Sequence, residues 1–142
     1  MNKSILFTLL LSFGVLGCSA TTPTAQEQQI SYELQNVKWR LISFGHTRMA
    51  VHKGSDITFD QDGRYSGSGG CNNFMGNYEL KDDTLTLKQG LSTMMACPIM
   101  SQEAKFFQAM QEVDGYKIIG DVLDLSHEGH SLLRFKADIL KK

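Results

Sequence analysis

Apolar and polar residues alternate in several short stretches of the chain. In residues 37–44, VKWRLISF, the alternation places Val37, Trp39 and Leu41 on one face, which is typical of a half-buried β-strand. Similar stretches follow, separated by turns rich in glycine and aspartate. The pattern predicts strands over residues 37–44, 56–60, 64–68, 77–81, 84–88, 91–95, 116–119, 122–126 and 131–136.

A single stretch has helical periodicity. From Ile99 to Val113, apolar residues recur mostly at helical spacing, and Asp114-Gly115 predicts the end of the helix. Pro98 favours a helix that begins directly after it, because proline fits a first turn better than a strand interior. The apolar face is predicted to contain Ile99, Phe106, Met110 and Val113, whereas the polar residues assigned elsewhere are Gln102, Glu103, Lys105, Gln108 and Glu112.

About eight short strands and one helix favour a mainly β (α+β) fold, with a curled antiparallel sheet or a small barrel. A parallel α/β fold is disfavoured because only one helical crossover is predicted. Two interpretations of the concave face stay open: core side chains fill it, or it carries a hydrophobic or lipid ligand. The candidate core residues are Trp39, Phe59, Tyr65, Leu85, Phe106, Phe107 and Phe135.

The N-terminus has the pattern of an export signal. Lys3 precedes an apolar run from Ile5 to Leu16, which is too short for a permanent membrane span and suits a signal peptide. The run ends in VLGC, which resembles a bacterial lipobox. That resemblance implies cleavage before Cys18, followed by lipidation of its sulfur and its amine.

Several acyl chains on one residue would anchor the protein durably. Ser19, rather than aspartate, follows the cysteine, which by the same resemblance implies an outer-membrane anchor and a domain facing the periplasm. A soluble secretory signal is the alternative, because Leu16 is less usual there than a small residue. The sequence therefore predicts a signal peptide over residues 1–17, a lipid-anchored flexible tether over residues 18–36 and a domain over residues 37–142.

Composition narrows the class of partner. With 142 residues and 42% hydrophobic content, the chain is sized for one domain with a core. Loss of residues 1–17 reduces the 14 basic side chains to 13, against 15 acidic ones, so the formal net charge becomes −2. No clustered basic face is indicated, and a nucleic-acid partner is therefore not predicted. The expected partners are the membrane, through the lipid anchor, and an envelope protein or an amphipathic small molecule.

The most unusual stretch is residues 67–78, GSGGCNNFMGNY. Its glycines allow positive φ angles and tight bends, so an ordinary strand is not predicted between the strands over residues 64–68 and 77–81. Residues 93–98, TMMACP, contain the other cysteine that remains after export. An oxidising compartment permits disulfides, and Cys71 and Cys97 are predicted to be bonded to each other. Two separate buried thiols are the alternative.

The two cysteine segments, the helix-like stretch after them and Leu133-Arg134-Phe135 resemble the META domain family, which includes the HslJ-like envelope lipoproteins. The similarity extends over most of residues 37–136. It implies a small antiparallel β domain with a lipocalin-like curled sheet and a helix. It also implies no established enzymatic activity, and a link to envelope stress or drug tolerance.

No catalytic motif is recognised, so the protein is predicted not to be an enzyme and to need no cofactor. Ser68 lacks the glycine two residues earlier that the G-x-S-x-G motif of a nucleophile elbow requires, and residues 67–72 lack the last glycine of a dinucleotide-binding loop. Asn72, Asn73 and Arg134 are the candidate binding residues. Their alternative roles are turn capping for the asparagines and surface charge for the arginine.

A copper site is the remaining alternative. Methionines flank Cys97, and soft ligands of this kind suit Cu(I). The competing interpretation is that these methionines fill the core and that Cys97 is in the disulfide. His127 and His130 without a third ligand are typical of a solvated turn, so no metal site is assigned. The soft set consists of Met94, Met95, Met100 and Cys97.

Overall fold

The computed structural model describes residues 33–46, 54–82 and 84–138. Cys18, the signal segment and most of the predicted tether lie outside the described residues, as do residues 47–53. Within the described part, nine strands and one helix are formed. Their bounds are β1 Lys38–Phe44, β2 Ser55–Phe59, β3 Arg64–Gly69, β4 Asn73–Lys81, β5 Thr84–Leu87, β6 Leu91–Ser92, α1 Met100–Glu112, β7 Gly115–Ile119, β8 Val122–His127 and β9 His130–Ala137.

The strands form one antiparallel sheet in the order β5-β4-β3-β2-β1-β9-β8-β7. The two ends of this path, β5 and β7, contact each other, so the sheet curls into a nearly closed barrel. β6 lies off the path and pairs with the first half of β4, whereas β5 pairs with the second half. The predicted mainly β fold with one helix is confirmed.

The barrel interior is filled by side chains. Trp39 is fully buried, and its Nε1 donates a hydrogen bond to the carbonyl oxygen of Leu34 at 2.9 Å. α1 packs against β3 and β9, and the ring of Phe106 lies 5.6 Å from Phe74 and 6.4 Å from Phe135. Of the predicted core residues, six are buried and Phe107 is partly buried against them. The filled-core interpretation of the concave face is therefore the one that the structure supports.

The expectation that residues 69–76 form no ordinary strand is wrong for most of that stretch. β3 extends to Gly69 and β4 begins at Asn73, so only residues 70–72 form the turn. Gly70 has a φ of 109°, which a side chain would strain. Gly67 serves a different purpose, because a Cβ there would collide with the carbonyl oxygen of Asp56 on β2. This glycine permits close strand pairing, which the sequence alone does not distinguish from a bend.

Two other predicted elements are shorter than expected. The strand predicted over residues 91–95 covers only Leu91–Ser92, and the helix predicted from Ile99 to Val113 runs from Met100 to Glu112. Before β1, Leu34 is buried and the amide of Asn36 donates to the carbonyl oxygen of Phe59 at 2.8 Å. The packed part of the chain thus includes residues from the end of the predicted tether.

No helix in residues 33–46, 54–82 and 84–138 is long and apolar enough to cross a membrane.

Candidate functional site

A disulfide joins Cys71, in the turn between β3 and β4, to Cys97, just before α1. The two Cα atoms are 6.1 Å apart, and the residues are separated by 26 positions in sequence. The predicted pairing is therefore present in the structure. It ties residues 93–97, which form no regular element, to the end of the barrel.

Asn72 fixes the same segment by hydrogen bonds. Its buried side-chain oxygen accepts from the amide of Met95 at 2.7 Å and from the hydroxyl of Thr93 at 2.9 Å. Its amide nitrogen donates to the carbonyl oxygen of Met95 at 3.4 Å and to Glu103 at 2.5 Å. These hydrogen bonds replace part of the backbone pairing that a neighbouring strand would give to residues 93–95. The segment is therefore held in place although β6 ends at Ser92.

Glu103 is only 4% exposed although it is ionisable. Its carboxylate accepts hydrogen bonds from the amides of Cys71 at 3.1 Å and Asn72 at 2.6 Å, besides the one from the Asn72 side chain. Gly69 leaves the required space, since a Cβ there would lie 2.5 Å from a Glu103 oxygen. A buried carboxylate is tolerated when several donors compensate it, as they do here.

The assignment of Glu103 to the polar face of the helix is wrong. Its spacing to Phe106 and Met110 is three and seven residues, which places it on the buried face with them. The helical spacing was the one feature of the sequence that could have predicted a buried Glu103. Its charge favoured an exposed position instead, because acidic side chains are seldom buried unless they are paired.

Comparison with known proteins identifies the family of the chain. The sequence model of the META domain matches residues 32–139. The chain belongs to the META domain family. Among curated proteins, no relative matches the chain.

Solved structures of similar shape support the META fold. An NMR structure of a protein from Burkholderia xenovorans shares 27% identity with a TM-score of 0.61, covering 75% of this chain and 84% of the other. A second NMR structure shares 24% identity with a TM-score of 0.58, covering 72% of this chain and 90% of that one. The crystal structure of a DUF4847 family protein from Bacteroides vulgatus, at 18% identity and a TM-score of 0.58, covers 72% and 93%. The last two show similarity of fold alone.

The candidate binding residues do not converge in this META domain. Asn72 and Asn73 are adjacent, and the amide of exposed Asn73 donates to the Thr93 hydroxyl at 3.1 Å. Arg134 is on β9, which is four strands from β4 in sheet order, and its side chain is 3.6 Å from Asp124. Asn72 therefore holds the disulfide segment, and Arg134 belongs to a different part of the surface.

The residues considered for a copper site do not form one ligand set. Cys97 is in the disulfide, and His127 lies 3.0 Å from Asp114 at the end of the β8–β9 hairpin. His127 and His130 face each other across that hairpin. In the described part of the chain, no group of three or more histidine, cysteine, aspartate or glutamate residues is arranged to hold a metal.

The expectation that the methionines near Cys97 fill the core is wrong. Met94 is 98% exposed, and Met95 and Met100 are each about half exposed. Met75 on β4 and its partner Leu91 on β6 are 62% and 77% exposed. We call these five residues the methionine rim: Met75, Leu91, Met94, Met95 and Met100. Scattered exposed apolar residues are ordinary, but five within or beside one short segment point to an interaction surface.

Two grooves flank residues 89–91 next to the rim. The inner groove, of about 270 Å³, lies between β6 and α1, with Phe74, Phe107 and Met110 in its lining. The outer groove, of about 410 Å³, is lined by residues of β3 and β4, including Arg64 and Met75, and by Leu91. Tyr65 contributes to both, and its hydroxyl donates to the carbonyl oxygen of Lys88 at 2.8 Å.

Removing the Tyr65 hydroxyl is expected to lower the free energy of unfolding by about 1 kcal/mol at neutral pH. Burial raises the pKa of Tyr65 above its ordinary value of 10.0. The unfolded chain therefore loses this proton first, so the stability is complete below about pH 10 and is lost as the pH rises through the folded-state pKa. Tyr65→Phe should weaken that alkaline loss in denaturation measured between pH 7 and 11. Tyr116→Phe on β7 is the control, and an equal pH dependence in both variants would contradict the prediction.

Proposed function

We propose that this META domain is the binding module of a lipid-anchored envelope protein and that it acts by contact, without catalysing a reaction. The observation that carries the proposal is the methionine rim, which lies on and beside a segment held by a disulfide and by the buried Asn72–Glu103 pair. Flexible methionine side chains adapt to apolar partners of differing shape. Because the backbone that carries these side chains is already fixed, less conformational entropy is lost on binding.

The proposed location is the periplasmic side of the outer membrane, with Cys18 lipidated and an oxidising environment around the domain. The lipobox-like sequence and the disulfide support this location. Because the barrel is filled, we place a small apolar ligand in the two external grooves beside the rim rather than in the concavity. The role in envelope stress or drug tolerance that the resemblance implies is part of the same proposal.

Cys18→Ser should abolish incorporation of labelled fatty acid and release the protein from the membrane fraction. The physical reason is that Cys18 provides the only proposed attachment point for the acyl chains. Cells that express the wild-type protein or the variant are labelled with palmitate and fractionated. Fatty acid that is still incorporated into the variant would refute the anchor.

Contact through the rim is tested by crosslinking in intact cells followed by mass measurement of the complexes. A variant with Leu91, Met94 and Met95 all changed to serine should lose most crosslinked species. Ile42→Ser is the matched control, because Ile42 is exposed but lies on β1, three strands from β4. Equal crosslinking in the two variants would overturn the proposed binding surface.

A further inference from the structure

β6 presents an open edge. Among the described strands, it pairs only with β4, where Leu91 faces Met75 and Ser92 faces Phe74. The amide of Thr93 donates to the carbonyl oxygen of Asn73 at 3.0 Å, and the Met95 amide donates to the Asn72 side chain. Since alternate residues of an extended segment direct their backbone groups to opposite sides, the amides of Ser92 and Met94 point away from β4.

β6 is only two residues long, which is one of the usual protections against pairing at an open edge, but the other protections are missing. Proteins also blunt an open edge with charged residues, proline or a cover. No charged residue occurs between Lys88 and Glu103, and the proline at position 98 lies after the edge. The side chains of Leu91 and Met94 are largely exposed, so no other described element covers them. The disulfide and Asn72 keep the uncharged edge in place.

The inner groove runs beside the same edge. Leu91 and Ser92 of β6 form one part of its lining, and Phe107, Met110 and Gln111 of α1 form another. Its volume of about 270 Å³ is below the roughly 300–1,000 Å³ of pockets for drug-sized ligands, and it suits one or two apolar side chains. Backbone groups and a small apolar groove therefore lie next to each other.

We propose that β6 binds an extended, uncharged segment of a partner polypeptide, which adds to the sheet as a further strand and places apolar side chains in the inner groove. Backbone pairing would provide affinity, and the groove would select alternate side chains. A polypeptide fits better than a lipid, because acyl chains offer no donors or acceptors to the amides of Ser92 and Met94. This inference rests on the proposed function and names its partner class.

The test uses the full chain in lipid nanodiscs and a soluble ten-residue peptide that alternates leucine with threonine. Hydrogen exchange is followed at single amides by mass spectrometry. At a peptide concentration of ten times Kd, exchange at Ser92 and Met94 should slow by about tenfold. Thr93 should change little because its amide is already bonded to β4. A peptide with N-methylated leucines should not bind; equal binding of the two peptides would overturn the proposal.

Two variants separate backbone from side-chain effects at one position. Met94→Pro removes the outward amide and should weaken peptide binding by about tenfold or more. Met94→Ala retains that amide and should weaken binding by less than about fivefold. Equal weakening in both variants, or dimerisation of the full chain through this edge without peptide, would overturn the proposal.

If rim crosslinking occurs in cells and the peptide still does not bind, only the strand-addition inference fails. If rim crosslinking is absent but the peptide protects Ser92 and Met94, the proposed cellular function fails and the edge remains a peptide site.

Discussion

Replacing Glu103 with alanine is expected to lower the free energy of unfolding by about 3–5 kcal/mol. The carboxylate accepts from two backbone amides and from the Asn72 side chain, all at the turn between β3 and β4. Removing it leaves these donors without their acceptor in a site where water has little access. The loss would be a large share of the roughly 5–15 kcal/mol available to a small domain. Urea denaturation of the full chain measures it.

Glu112→Ala is the matched control for this prediction. Glu112 has the same charge on the same helix but is exposed, so its replacement should change the stability by no more than about 0.5 kcal/mol. Asn72→Ala should be destabilising too, and combined with Glu103→Ala it should cost less than the two single losses together, because both remove the same hydrogen bond. Similar small losses for Glu103→Ala and Glu112→Ala would show that the buried carboxylate is not needed.

Alternation of apolar residues was sufficient to predict most of the barrel. In β1, Trp39 and Leu41 point inward as their spacing predicts, and in β3 Tyr65 does the same. The period of two survives in these strands because one face meets the core and the other meets water. Turn sequences such as Gly120-Asp121 also placed the β7–β8 hairpin correctly.

The candidate site was harder to predict because tertiary contacts override local preference there. Glycine at position 67 allows close pairing with β2 rather than a bend, and this extends β3 into a stretch predicted to be irregular. Exposure of Met94 has no local signal, since methionine is apolar and the residue lies only three positions before Cys97 in sequence. Arg134 was grouped with Asn72 and Asn73 as a candidate binding residue, but sheet order places it on the far side of the barrel. These errors all concern which tertiary neighbours a residue has, which a single sequence specifies weakly.

The buried polar site and the exposed apolar rim depend on each other. Asn72 and Glu103 use their hydrogen-bonding groups inward, and residues 93–97 are thereby held with apolar side chains directed outward. A segment held only by apolar packing would turn those methionines into the core. Polar anchoring inside is thus the physical reason that an apolar surface can persist outside.

Loss of the Cys71–Cys97 bond is expected to cost about 3–4 kcal/mol. The bond closes a loop between positions separated by 26 residues, which restricts the unfolded chain. Cys71→Ser, Cys97→Ser and the double variant should therefore lose similar amounts, because each removes the same closure. Urea denaturation under oxidising and reducing conditions measures the difference, and the double variant, which should not respond to reductant, is the control.

The same bond also holds residues 91–97 in place in the folded protein, in addition to restricting the unfolded chain. Reduction should increase hydrogen exchange in residues 91–97 more than in β8 or β9, because Asn72 would be left to hold that segment by hydrogen bonds. The strand-addition edge of β6 would then lose its fixed geometry, and the leucine–threonine peptide should bind more weakly to the reduced protein. A protein whose two thiols both react after nonreducing denaturation would contradict the bond itself. Unchanged exchange in residues 91–97 after reduction would show that Asn72 and Glu103 hold the segment unaided.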